Sequence, residues 1–204
     1  MRPETDAACR TANYLERMPA TLVTVDGFPV RVSVTGPEKG PYVVLLGSAE
    51  HPPAAYDTLC QRLHTAAVRT VVIGADPRLH PKAVVAILEA LDVPWAILVG
   101  DRFGAELAWE LAATRPDRFT GLVVIDRGHP RVADPRGVVR DPDCPPVEIN
   151  TTALFTSPVA RAVARNSQRF VHSDYRLVEF TARRNAAMAT AQLAAEIVLR
   201  TSTW

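Results

Sequence analysis

The chain has 204 residues, enough for one domain with a sizeable core. It is 48% hydrophobic and 22% charged, with a formal net charge of +1. That balance offers no basic footprint for nucleic acid or a membrane surface and no acidic tract for a cationic partner. The cysteines, Cys9, Cys60 and Cys144, are three, scattered and without a CxxC pair, which predicts reduced thiols rather than a disulfide frame. No apolar run approaches the roughly 18 residues a membrane helix needs. The first twenty residues carry acids and lack an apolar centre, so no signal peptide is expected and a cytoplasmic location follows by default.

In chain order, residues 1–19 predict a loose arm or short helix, and 20–204 one domain. ATLVTV (20–25) and PVRVSVTG (29–36) read as strands, with Asp26-Gly27 between them as a hairpin turn. YVVLLG (42–47), TVVIGAD (70–76), WAILVG (95–100) and GLVVID (121–126) are continuous apolar runs, the pattern of strands buried on both faces. Helical spacing lies between them. Tyr56, Leu59, Leu63 and Ala66 form one stripe; Val84, Ile87, Leu88 and Leu91 form a second, opened by Pro81; AELAWELAAT (105–114) is a third, ended by Pro116. Such alternation predicts right-handed crossovers and a parallel sheet with helices on both faces. Residues 127–147 are rich in Pro, Arg and Asp and read as one long irregular stretch. A strand at 148–157, a helix from SPVARAVARNSQRF, a strand at 175–180 and a helix at 185–201 complete the chain.

One local motif is sharper. In LVGDRFGAELAWELAATRPDRFTGLVVID (98–126), a buried strand runs directly into a helix through Gly100-Asp101-Arg102-Phe103-Gly104, followed by Ala105. Small residues at 100, 104 and 105 are what a sharp strand-to-helix bend demands, because larger ones would keep strand and helix apart. This stretch resembles the nucleophile elbow of the α/β-hydrolase superfamily, G-x-Ser-x-G. VTVDGFPVRVSVTGP followed by PYVVLLG resembles that family's opening hairpin and third strand. The resemblance covers residues 20–201. It implies an α/β-hydrolase-like, mostly parallel sheet with an N-terminal antiparallel hairpin.

The departures from the family pattern bear on function. Arg102 stands where the family has its nucleophile, and a guanidinium stays protonated in water and cannot attack a carbonyl. Asp101 is one residue too early. The resemblance places the acid after the strand at 150–156, where Ala160 stands, and the imidazole before the last helix, where Arg183 stands. His172 is the last histidine in the chain, so no imidazole follows the final strand. Only about twenty residues join the strands at 121–126 and 150–156, too few for a helical cap, so an open or shallow pocket is expected.

Several residues admit two readings. Arg102 at a helix N-terminus opposes the dipole. Either it binds an anion, or it pairs with Asp101, Asp126 or Glu50. Ser48 and His51, in the loop after the third strand, either line a pocket or start a turn with a solvated imidazole. Asp126 and His129, beyond the fourth parallel strand, form an acid/base dyad, or Asp126 only caps a loop. His172-Ser173-Asp174 reads as the end of a helix, His64 and His80 as surface groups, and Cys60 as core. No metal-ligand spacing or phosphate loop is present, and no cofactor is expected.

The sequence thus points to a hydrolase fold without hydrolase machinery. Ser48, Asp101, Arg102, Phe103, Asp126 and His129 are the candidate ligand-binding residues. A small anionic ligand, a protein partner or a homodimer is expected. The rival expectation is an active esterase-like enzyme with a displaced site drawn from Ser48, His51, Asp126 and His129.

Overall fold

The computed structural model describes residues 20–25, 27–48, 53–181 and 186–201. The expected 1–19 arm, Asp26, Glu50, His51 and Arg183 lie outside them. Among the described residues, eight strands form one sheet: β1 (Ala20–Val25), β2 (Phe28–Thr35), β3 (Tyr42–Leu46), β4 (Arg69–Ile73), β5 (Ala96–Asp101), β6 (Phe119–Ile125), β7 (Asn150–Phe155) and β8 (Tyr175–Glu179). Their order is β1-β2-β4-β3-β5-β6-β7-β8. β2 runs antiparallel to both β1 and β4, and the pairings from β4 through β8 are parallel. The hairpin closes at the Val25↔Phe28 pair, and Gly27 sits at φ 82° there, a conformation glycine adopts cheaply.

The helices are α1 (Asp57–Thr65), α2 (Pro81–Ala90), α3 (Phe103–Thr114), α4 (Pro158–Ser167) and α5 (Ala186–Thr201). Successive strand residues face opposite sides, so each apolar run feeds two cores. Val44, Leu46 and Leu98 pack with α2 and α3, while Val43, Leu45 and Ile97 pack with α1 and α5. This is why the central strands read as unbroken apolar runs rather than as alternation. α2 and α4 both open with a first-turn proline after a side-chain cap, His80 accepting from the Ala83 N–H and Ser157 from the Ala160 N–H.

Between β6 and β7, residues 126–149 contain no helix and no strand, only turns and an isolated bridge from Val147 to Val171. No cap domain is built there. No helix among the described residues is long and apolar enough to cross a membrane.

The order places β3 beside β5. The chain leaves β3 toward one edge of the sheet and β5 toward the other. Their carboxyl ends therefore flank a topological switch point, the position where open α/β sheets bind ligands. Ser48 follows β3 there and Arg102 follows β5.

Candidate functional site

The bend at 100–104 is built by exclusion of side chains. A Cβ on Gly104 would lie 1.9 Å from the Leu46 carbonyl oxygen, and one on Gly100 would lie 2.4 Å from the Ala105 Cα. Both glycines are thus required for α3 to press against the ends of β3 and β5. The apex between them is Arg102, at φ 51° and ψ −105°, a conformation costing of order 1–3 kcal/mol in a non-glycine residue. The strained apex of an elbow is present, and a half-buried arginine occupies it. The Arg102 carbonyl accepts from the Ala105 and Glu106 N–H groups, at 3.1 Å and 3.3 Å, and starts α3.

Around the apex, polar groups are spent on one another. The Ser48 N–H donates to the Tyr56 hydroxyl at 3.2 Å, and that hydroxyl donates to Asp101 Oδ2 at 3.3 Å. Burial pushes the Tyr56 phenol up to about 12, with the Asp101 charge adding to it, so the proton remains on tyrosine. Tyr56 was legible only as one member of an apolar helical stripe. It ties the loop after β3 to the elbow instead. Ser48 is buried, and Phe103 is 39% exposed beside the apex.

The expected Asp126–His129 dyad is not assembled. Both Asp126 carboxylate oxygens are taken by Thr156: the backbone N–H donates to Oδ1 at 2.7 Å and the hydroxyl to Oδ2 at 2.5 Å. Asp126 thereby fastens the end of β6 to the end of β7, the loop-capping alternative. His129 is 0% exposed, which corrects its expected place as a ligand contact. Its ring stacks on Phe170 at 4.9 Å and meets Trp109 edge-on at 5.5 Å. Nδ1 accepts from the Arg131 N–H at 3.3 Å, which leaves Nε2 to donate to the Pro145 carbonyl at 2.9 Å. Burial pushes its pKa down to about 4, and the nearby Arg131 and Arg140 charges act in the same direction. His129 is a neutral strut that holds the long loop down.

The other expectations resolve as packing. His172 faces Glu148 at 3.0 Å, Ser173 donates to Asn150, and Asp174 receives the buried Arg200; all sit by the amino ends of β7 and β8, opposite the elbow. His64 lies 2.9 Å from Thr70 and is half-buried, while His80 is exposed and caps α2. Cys60 is fully buried. The position after β7 where the family has its acid begins α4 with Ser157 and Pro158, and no carboxylate stands there. No group of three or more His, Cys, Asp or Glu placed to hold a metal occurs among the described residues.

A cleft of about 500 Å³ opens at this end of the sheet, where the absence of a cap leads us to expect an open or shallow pocket. It lies between the 127–140 loop and the start of α4, and of the six candidate residues only Asp126 lines it. Glu106, Arg127, Arg136 and Arg140 supply most of its charge. In the sequence this arginine-rich segment reads only as one long irregular stretch.

No protein-family model matches this sequence, and no curated protein does. Solved structures do. Epoxide hydrolase A from Mycobacterium thermoresistibile aligns with a TM-score of 0.70 at 11% identity, over 87% of this chain and 97% of that one. The enol-lactonase from Burkholderia xenovorans LB400 gives 0.72 at 12%, over 88% and 100%. An epoxide hydrolase from Vigna radiata gives 0.68 at 13%, over 91% and 99%.

The chain has the α/β-hydrolase fold.

At such identities the likeness speaks for the fold alone, because sites are grafted on folds and lost from them independently. Within the α/β-hydrolase fold, the bend at 100–104 is the elbow, and Arg102 is its apex. The loop after β3 carries Ser48, whose N–H is given to Tyr56.

Proposed function

We propose that this chain is a hydrolytically silent α/β-hydrolase-fold protein that binds a small anion, a carboxylate or a phosphate, at the carboxyl end of its sheet. The observation that carries the reading is Arg102 at the strained elbow apex. A guanidinium cannot be a nucleophile, and the further guanidiniums at this end of the sheet, Arg127, Arg136 and Arg140, are suited to hold an oxyanion. The surroundings support the same reading. An oxyanion-hole donor must point at the reacting oxygen, and the Ser48 N–H is engaged by Tyr56. Asp126 is bound to Thr156, and His129 is sealed away from solvent, so neither favours the displaced esterase site.

The test is a pair of measurements on the purified protein. Short-chain p-nitrophenyl esters are expected to hydrolyse at the buffer rate. Malonate or inorganic phosphate at millimolar concentration is expected to raise Tm, because ligand binding to the folded state alone stabilises it. Ester turnover above background would overturn the silent reading. Unchanged Tm with both anions would overturn the binding reading.

A further inference from the structure

Resting on the anion-binding reading, the geometry points to a specific seat for the anion: the cleft between the 127–140 loop and α4, with Arg127, Arg136 and Arg140 as its anchors. This is one strand away from the elbow. Arg102, Phe103 and Ser48 are absent from the lining, so the proposed seat is not the space over the apex.

A donor count supports an oxyanion as the occupant. Three carboxylates and three guanidiniums line the cleft. Asp126 and Glu106 are engaged from within the protein through both oxygens, and Asp134 through Oδ1. Asp126 takes two bonds from Thr156. Asp134 Oδ1 takes the N–H groups of Arg136 and Val138, at 2.8 Å and 2.9 Å, which hold its carboxyl below the usual range. Glu106 takes Arg127 at 2.8 Å and Arg140 at 3.5 Å. Each guanidinium has five N–H donors and no acceptor. Arg127 spends Nε on Glu106 and Nη1 on the Asp126 carbonyl. Arg140 spends Nη2 on the Gly128 carbonyl and directs Nη1 to Glu106. Arg136 lies near the Asp134 charge, and among the described residues its guanidinium has no hydrogen-bond or ion-pair partner. The cleft therefore keeps a surplus of charged donors over acceptors, and a carboxylate or phosphate matches the fork geometry of arginine. The first turn of α4 adds a positive dipole end to the same cleft.

The cleft is held rigid. A Cβ on Gly128 would lie 2.6 Å from Val163 and 2.7 Å from Ser167, so the loop presses directly on α4. The His129 N–H bonds Ser167 Oγ at 3.0 Å, and the Arg140 and Asp141 N–H groups both reach the Pro130 carbonyl at 3.2 Å. A preformed seat spends less binding energy on ordering. Val132, Val159, Ala160 and Val163 give it apolar walls. Its volume suits a small molecule with an anionic head and a short aliphatic body.

Calorimetric titration of malonate, and separately of inorganic phosphate, into the purified protein at low salt tests the placement. The expected result is one-site binding of at least one of the two, and the two titrations show whether carboxylate or phosphate is preferred. Affinity should fall by about tenfold or more in Arg136→Glu and in Ala160→Trp, which respectively reverse a charge and fill the cleft. Arg102→Ala should change it by less than about twofold. Arg136 is exposed, so its variant is expected to keep the wild-type Tm without ligand. Full affinity in both cleft variants with loss in Arg102→Ala would move the anion to the elbow and overturn the placement while leaving the anion reading intact. No binding of either anion to the unaltered protein would overturn both.

Discussion

Gly104→Ala destabilises the protein by about 3–5 kcal/mol, a fall in Tm of order 10 °C or more for a domain of this size. The added methyl would sit 1.9 Å from the Leu46 carbonyl oxygen, 2.5 Å from its carbon and 2.9 Å from the Gly47 oxygen. All three are backbone atoms, so no rotamer change relieves the clash. Either α3 lifts from the sheet, uncovering Ala105, Ala108 and Trp109, or the end of β3 shifts and loosens the Ser48–Tyr56–Asp101 chain. Urea denaturation checks this: the midpoint should fall with little change in slope. A loss under about 1 kcal/mol would mean that helix and strand do not approach this closely.

Acidification weakens the fold through His129. Its folded pKa lies near 4 and its unfolded pKa near 6.5. Above pH 6.5 both states hold a neutral imidazole, and the contribution to stability is complete. Between pH 6.5 and 4 the unfolded chain binds a proton that the folded protein refuses, so stability falls as pH falls, by about 3 kcal/mol over the window. Below pH 4 both states are charged and the loss levels off. In His129→Gln the titrating group is gone, while an amide N–H remains to serve the Pro145 carbonyl. Urea titrations of both proteins at pH 7, 5.5 and 4 isolate the effect, because His64, also depressed by burial, contributes the same sign to each. The advantage of the natural protein in stability should shrink as pH falls. Parallel pH profiles would show that the unprotonated ring is not what anchors the loop.

The central strands were legible because burial on both faces leaves little choice of residue. YVVLL and AILVG have to be apolar throughout, since their odd and even positions enter different cores. The elbow was legible for a related reason: Gly100, Gly104 and Ala105 are the residues that steric contact at 1.9–2.4 Å leaves available. Helix α3 began two residues earlier than expected, at Phe103, because the strained residue itself is its cap. The cleft was not legible. Its walls come from an irregular loop folded back on itself by Arg140–Gly128 and Val138–Asp134 bonds, which follow no period. His129 misled for the same reason. A lone histidine in a proline-rich loop looks exposed in sequence, and the Ser167 hydroxyl that holds its N–H lies 38 residues away. Asp126 looked like a catalytic acid because it sits at a strand's carboxyl end, and only the fold reveals that Thr156, 30 residues on, takes both of its oxygens.

Treatment of the intact protein with a fluorophosphonate probe, followed by mass measurement and peptide mapping, tests the elbow account most directly. Arg102 at the apex predicts an unchanged mass under conditions where an ordinary serine esterase is fully labelled. A stoichiometric adduct on Ser48, or on any other side chain at this end of the sheet, would contradict it.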